Sequence, residues 1–133
     1  MAKTITNFGR NLRFTPGLVF APADEAELLR ILDEHRGRLI RVVGARHAWS
    51  EGIVTEEVLI DLKHLRQVKT ARDSFGQTWA TIGGGCQVKH VLSALYNQAD
   101  VTLPAIGLIA EQTIAGATAT GTHGSGRHSL SHY

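Results

Sequence analysis

Hydrophobic residues in the first half of the chain follow two patterns, one typical of short strands and one typical of an amphipathic helix. Three runs rich in Val, Leu and Ile predict strands, the second of them buried: residues 18–20, 39–43 and 58–62. Between the first two runs, Asp24 and Glu27 have the spacing of an N-terminal capping box, and the apolar residues after them predict a helix that ends at Gly37. The sequence therefore predicts a β-α-β unit followed by a third strand.

A second strand and helix are predicted further along the chain. Residues 79–82 favour a strand, and the three glycines at 83–85 end it. The spacing i, i+3, i+4, i+7 then predicts a helix with one apolar face, formed by Val88, Val91, Leu92 and Leu95. With the first unit, this pattern predicts an α/β (α+β) fold in two lobes, residues 1–62 and residues 63–133.

The C-terminal quarter of the chain has a different composition. Residues 101–133 contain only two charged side chains, Glu111 and Arg127, and are rich in Gly, Ala and Thr. Such a segment offers little solubilising surface and few bulky groups for a core. We expect its backbone to lie against something else, either a ligand or more protein.

Composition and charge exclude several classes of function. The 133 residues are 43% hydrophobic, which is enough for a compact core, and their net charge of +2 is too small to argue for nucleic acid. A single cysteine excludes an internal disulfide and a Cys-rich zinc site. The polar N-terminus lacks the apolar stretch of a secretory signal, and no apolar run is long enough to span a membrane. These features predict a cytoplasmic protein.

Standard nucleotide and hydrolase motifs are absent from the glycine-rich segments. Val88 stands where a dinucleotide fingerprint needs its third glycine, no Gly-Lys pair forms a P-loop, and no G-x-S-x-G occurs. His123, His128 and His132 have a spacing that leaves a metal-binding reading open, although no carboxylate lies among them.

Two features favour a ligand site on the residues alone. Small residues let backbone N–H groups approach a phosphate or a ring, and hydroxyl donors line the same run at Thr118, Thr120, Thr122 and Ser125. The alternative is a tight loop where two layers pack closely. His47 follows a predicted strand in a loop opened by Gly44, a position suited to contact with a ligand, although a merely solvated histidine is the alternative there.

Taken together, three motifs resemble those of a known family. They are Arg41-Val-Val-Gly-Ala-Arg-His47, the glycines at 83–85, and Thr113-Ile-Ala-Gly-Ala-Thr-Ala-Thr-Gly-Thr-His-Gly-Ser-Gly126. From about residue 12 onward the chain resembles the vanillyl-alcohol-oxidase-type (PCMH-type) flavoproteins. Within them it is most similar to the sugar branch, which contains alditol oxidase and the L-gulonolactone and D-arabinono-lactone oxidases.

The resemblance implies FAD as cofactor and a two-lobed PCMH-like FAD-binding domain whose second lobe is truncated. His47 matches the histidine that many members join covalently to the 8α carbon of the flavin. The loop that would bind the FAD pyrophosphate comprises Gly44, Ala45, Arg46, His47, Ala48 and Trp49. The residues that would lie along the flavin and its ribityl chain are Gly116, Ala117, Thr120, Gly121, Thr122, His123, Gly124 and Gly126.

Two positions of the loop depart from the family pattern G-x-G-H-S. Arg46 replaces the second glycine, which adds bulk and also a cation that can pair with phosphate. Ala48 replaces the serine and removes a hydroxyl donor.

The implied function is that of the N-terminal portion of a flavin-dependent oxidase acting on the CH–OH group of a sugar alcohol or an aldonolactone. Family members carry a separate substrate domain, so no catalytic residue is assigned in this chain and we expect the fragment itself to be inactive. The alternatives are a non-catalytic truncated module that self-associates through its open edge, and a His-rich metal-binding domain.

Overall fold

The computed structural model describes residues 4–127, and the chain divides into two compact units, Met1–Leu65 and Arg66–Tyr133. This division falls slightly C-terminal to the predicted boundary after residue 62. Within residues 4–127, no helix is long and apolar enough to cross a membrane.

Among its described residues, the first unit contains five strands, one helix and a single 3-10 turn at Glu51–Ile53. Strands β1 (Ile5–Thr6) and β2 (Arg13–Phe14) form a short antiparallel pair. A three-stranded parallel sheet has the order β3-β5-β4, and its members are β3 (Leu18–Phe20), β4 (Ile40–Val43) and β5 (Val58–Asp61). The three predicted strands are confirmed.

Helix α1 (Glu25–Glu34) connects β3 to β4 and begins at the predicted capping box. The N–H of Glu27 donates to the Asp24 carboxylate at 2.8 Å, and the Glu27 carboxylate accepts the N–H of Ala23 at 2.7 Å. The helix ends at Glu34, before Gly37, whose φ of +85° lets the chain turn into β4.

The expectation that the second strand is buried is wrong. Strand β5 lies between β3 and β4, so β4 is an edge strand, and Val42 is 48% exposed. In contrast, β5 is covered on both faces. Leu59 packs with Ile5 and Val43 on one face. Val58 and Ile60 pack against Ile31 of α1 on the other face. The hydrophobic run at 39–43 alone does not reveal which strand takes the central position.

Up to residue 127, the second unit contains an antiparallel hairpin and two helices. Strands β6 (Val68–Arg72) and β7 (Thr78–Ile82) pair along their whole length, followed by helices α2 (Val88–Ala99) and α3 (Ile114–Ala119). Strand β7 and helix α2 confirm the predictions. The core contains Val91 and Leu95 of α2 together with Cys86, packed against Val68 and Ile82 of the hairpin. Burial raises the pKa of the Cys86 thiol, which therefore serves as a packed neutral group.

The loop between β6 and β7 is held by one carboxylate. Asp73 accepts hydrogen bonds from the N–H groups of Phe75 and Gln77, both at 2.9 Å, and from the indole Nε1 of Trp79 at 2.8 Å. The bond from Trp79, followed by those from the backbone, lowers the pKa of Asp73. Because the folded hairpin lowers this pKa, the carboxylate stabilises it fully at pH values above the ordinary aspartate pKa. That stabilisation is lost as the pH falls through the lowered pKa.

Candidate functional site

The predicted site residues form two groups, one in each unit. The first group is the loop at residues 44–49, here called the His47 loop, which follows the C-terminal end of β4. The second group lies in residues 107–126, here called the glycine-rich segment, which includes α3.

An N-terminal segment, residues 7–12, holds the His47 loop through its carbonyl groups. The N–H of Phe8 donates to the carbonyl of Arg46 at 2.9 Å. The side-chain amide of Asn7 donates to the carbonyl of Ala48 at 2.8 Å, and that of Asn11 donates to the carbonyl of Trp49 at 3.1 Å. Three hydrogen bonds from the N-terminal segment therefore hold this loop.

Asn7 is the buried centre of this arrangement, with 4% of its surface exposed. Besides its bond to Ala48, its Nδ2 donates to Oδ1 of Asn11 at 2.7 Å, and its own Oδ1 accepts the N–H of Leu12 at 3.0 Å. A buried amide whose donors and acceptor are all used favours one conformation strongly, because any other leaves polar groups unpaired. Sequence reasoning missed this residue. The only local signal is a pair of asparagines four positions apart.

The side chains of the His47 loop pack on the same N-terminal segment. The imidazole of His47 is half-buried and stacks on the ring of Phe8, with 4.5 Å between centroids and 23° between planes. The indole of Trp49 covers Gly9 so closely that a Cβ there would lie 2.7 Å from its Cη2 atom. Gly9 is thus required for the approach of Trp49, whose ring remains largely exposed.

The carbonyl groups and the N–H groups of the His47 loop differ in their hydrogen bonding. In the part of the chain that the structure describes, its carbonyl groups accept the three bonds from the N-terminal segment. No hydrogen bond donated by the N–H groups of residues 44–49 is present among those same described residues. These N–H groups can therefore donate to an acceptor outside the described residues.

Arg46 has a left-handed backbone conformation, with φ of +59°. An L-residue with a side chain is disfavoured there, and glycine is not. This accounts physically for the glycine expected at this position of the family pattern. The Arg46 side chain is exposed, so its cation faces solvent.

Replacing Arg46 by glycine is expected to stabilise the apo chain by about 1 kcal/mol, because the left-handed conformation then carries no Cβ penalty. The midpoint of urea unfolding measures this effect. Arg41→Gly is the matched control, since Arg41 is an exposed arginine within strand β4, where glycine costs about 0.5–1 kcal/mol. Equal destabilisation by both substitutions would contradict the conformational explanation.

In the second unit, the chain leading into α3 is hydrogen-bonded to the turn that follows β7. The N–H groups of Ile114 and Ala115 donate to the carbonyls of Cys86 at 2.8 Å and Gly84 at 3.2 Å. The N–H of Val88 donates to the carbonyl of Gln112 at 2.9 Å. The glycines at 83–85 therefore lie next to the start of α3, where the residues predicted to lie along the flavin begin.

Two threonine hydroxyls of the glycine-rich segment donate hydrogen bonds within the chain. The hydroxyl of Thr118 donates to the carbonyl of Ile114 at 2.9 Å, and that of Thr120 donates to the carbonyl of Gly116 at 3.0 Å. In a helix, a threonine hydroxyl readily bonds to the carbonyl four residues earlier. These two hydroxyl protons are used within the chain, and Thr122 Oγ1 lies 3.3 Å from Thr120 Oγ1.

Close packing accounts for part of the glycine pattern. A Cβ at Gly124 would overlap the carbonyl oxygen of Ile106, and one at Gly107 would lie 2.7 Å from Cγ2 of Thr122. Gly121 has φ of +64°, a conformation that favours glycine. Packing at Gly124 and Gly107 and the backbone conformation at Gly121 therefore favour glycine at these three positions.

The remaining predicted residues of this segment differ in environment. Ala117 is fully buried, and a Cβ at Gly116 would lie 3.1 Å from Oγ1 of Thr113. His123 is exposed, and its Nδ1 lies 3.0 Å from the carbonyl of Gly124. Gly126 has no described atom within 4 Å of a Cβ position, so packing in residues 4–127 does not require glycine there.

The possible metal site of the sequence analysis comprises His123, His128 and His132. His128 and His132 lie outside the described residues. Within residues 4–127, no group of three or more His, Cys, Asp or Glu side chains is arranged to hold a metal ion.

Curated relatives of this chain include enzymes that are named for oxidising alcohols and lactones. The chain is 51% identical over 127 residues to a long-chain alcohol oxidase of an uncultured marine euryarchaeote, covering 96% of this chain and 26% of that protein. It is 33% identical over 113 residues to the L-gulono-1,4-lactone dehydrogenase of Mycobacterium tuberculosis, covering 84% of this chain and 26% of that protein. The chain thus spans about a quarter of the length of these relatives.

Solved structures share the fold of this chain at lower sequence identity. Cholesterol oxidase from B. sterolicum matches with a TM-score of 0.77 and 20% identity, covering 94% of this chain and 24% of that one. A chitooligosaccharide oxidase matches with a TM-score of 0.62 and 22% identity, covering 88% of this chain and 27% of that one. The mixed α/β fold and its likeness to the FAD-binding lobe of PCMH-type oxidases are confirmed.

Residues 16–132 match the family described as FAD binding domain. This range contains the His47 loop and the glycine-rich segment, and it confirms FAD as the cofactor. The chain therefore belongs to the family of FAD-binding domains.

Proposed function

We propose that this chain is the FAD-binding portion of a flavin-dependent oxidase that acts on a CH–OH group, and that His47 is the site of covalent attachment. The observation that carries the proposal is the polarity of the His47 loop. Its carbonyl groups are bound to the N-terminal segment, while its N–H groups donate no bond within residues 4–127.

The residues of this loop fit a diphosphate chemically. Phosphate oxygens accept hydrogen bonds from backbone N–H groups, and small residues let the backbone approach them closely. Gly44, Ala45 and Ala48 provide that small surface, and the exposed cation of Arg46 adds an attraction that depends on salt concentration. Bound FAD supplies the hydride acceptor for oxidation of the CH–OH group.

His47 is suited to a covalent role by its position and its contacts. Its ring stacks on Phe8, and no described residue hydrogen-bonds to its nitrogens, so a nitrogen lone pair is free to act as nucleophile. A covalent bond between this nitrogen and the 8α carbon of FAD would need a two-electron acceptor such as O2, because each partner would lose one hydrogen and O2 would take up both as hydrogen peroxide.

The substrate class follows from the shared chemistry of the relatives. The relatives are named for a long-chain alcohol, L-gulono-1,4-lactone and D-arabinono-1,4-lactone. Each of these molecules contains a carbon that bears a hydroxyl group. We propose that the whole protein oxidises a sugar alcohol or an aldonolactone. The second candidate substrate is an aliphatic alcohol, which the 51% identical long-chain alcohol oxidase supports.

The proposal is tested by titrating the purified 133-residue chain with FAD and following the quenching of flavin fluorescence. We expect saturable binding of one FAD per chain, weaker at high salt because phosphate contacts are screened. Riboflavin is the matched control ligand, since it carries the same ring without the diphosphate. Equal affinity for riboflavin and FAD would contradict the pyrophosphate role of the His47 loop. Absence of any binding would contradict the proposed function of this chain.

A further inference from the structure

The N-terminal segment lies before the family match, which begins at residue 16, yet it makes every hydrogen bond that the His47 loop accepts among the described residues. The segment therefore acts on the loop from outside the range of the FAD-binding family match.

We infer that Phe8 and Asn7 are positioning residues for His47, and that they govern the rate at which its imidazole forms a bond with FAD. This inference rests on the proposed function for its consequence, the covalent bond. The arrangement on which it depends, a stacked and held imidazole, is a property of the chain by itself.

Phe8 contacts the loop in two ways at once. Its N–H holds the carbonyl of Arg46, the residue before His47, at 2.9 Å, and its ring covers one face of the imidazole at 4.5 Å between centroids. Stacking restricts the plane of the His47 ring. It does not engage the ring nitrogens, which remain free for chemistry in that plane. Phe8 is 65% exposed, so core packing does not explain an aromatic residue at this position.

Asn7 holds the other side of the loop. Its amide donates to the carbonyl of Ala48, the residue after His47, at 2.8 Å, and Asn7 itself is almost fully buried. The backbone is thus held on both sides of His47 while the imidazole rests on Phe8. An imidazole held in one orientation reaches its reaction partner at a smaller entropic cost than a mobile one.

The rate of adduct formation tests this inference in the 133-residue chain. Each variant is mixed with FAD in air, samples are precipitated with acid, and the flavin fluorescence of the protein band is followed with time. Phe8→Leu keeps an apolar side chain but loses the aromatic stack, and we expect it to slow adduct formation about tenfold. Phe8→Tyr restores the stack and should stay within about twofold of the wild type. Phe75→Leu is the matched control, because Phe75 is an exposed phenylalanine in the other unit.

The histidine ring signals in a proton–carbon NMR spectrum provide a readout that needs no FAD. We expect Phe8→Leu to move the His47 ring signals, since they lose the ring current of Phe8, and Phe8→Tyr to keep them near their wild-type positions. Unchanged His47 signals in Phe8→Leu would overturn the inference, and so would an equal adduct rate in Phe8→Leu and wild type. If the wild type forms no adduct, the covalent part of the proposed function fails, and the NMR comparison alone decides whether Phe8 positions His47.

Discussion

Replacing His47 by alanine is expected to remove all acid-stable flavin from the chain while reversible FAD binding stays within about threefold. The covalent bond needs an imidazole nitrogen, and no other group of the loop is a comparable nucleophile. Reversible binding depends instead on backbone N–H groups, which the substitution leaves in place because the loop is held through its carbonyls. Acid precipitation followed by in-gel flavin fluorescence measures the first quantity, and fluorescence titration measures the second.

His35→Ala is the matched control for this experiment. His35 also packs its ring on a phenylalanine of the first unit, Phe20, with 5.0 Å between centroids, but it lies at the end of α1. We expect it to retain the adduct. Persistence of the adduct in His47→Ala would show that another residue is the attachment site, and its loss in both variants would point to a general effect of removing a stacked histidine.

Replacing Gly124 by alanine is expected to destabilise the chain by about 1–3 kcal/mol, because the new methyl group overlaps the carbonyl oxygen of Ile106. Two stretches of backbone would have to separate, since a carbonyl cannot rotate away as a flexible side chain can. Urea unfolding followed by circular dichroism measures the loss. A Gly124→Ala chain as stable as the wild type would contradict this close approach.

Gly126→Ala is the control that separates packing from ligand contact. Its Cβ meets no described atom within 4 Å, so we expect a change in stability of at most about 0.5 kcal/mol. If Gly126 contacts FAD as the sequence predicts, this variant loses FAD affinity without losing stability. Loss of both in proportion would instead assign Gly126 to the fold of the segment.

Local patterns were sufficient for the elements that carry a strong hydrophobic signal. Helix α1 has a capping box, and α2 has an apolar stripe whose Val88, Val91 and Leu95 are buried. Strand β6 was not predicted, because its residues Lys69 and Arg72 are polar. None of its residues is fully buried. Strands β1 and β2 have two residues each, which is too short for any periodicity.

The candidate site was likewise predictable from local patterns only in part. The position of His47 after a strand, the glycine-rich segment and the resemblance they carry are all readable in the residues, and the family match confirms FAD as cofactor. Which glycine serves which purpose is not readable in them. Gly124 is required by packing and Gly121 by its backbone conformation, and the residue type alone does not distinguish these two causes.

The sequence by itself predicted the elements with a strong hydrophobic signal and the loop that contains His47, because these depend on residue types at short spacing. It indicated FAD through the family resemblance. Only the tertiary structure decided that β5 is central and β4 an edge, and that Asn7 and Phe8 hold the His47 loop. The physical reason is distance along the chain. Asn7 donates to the carbonyl of Ala48, 41 residues away, and a hydrogen bond between positions so far apart leaves no periodic trace in either segment.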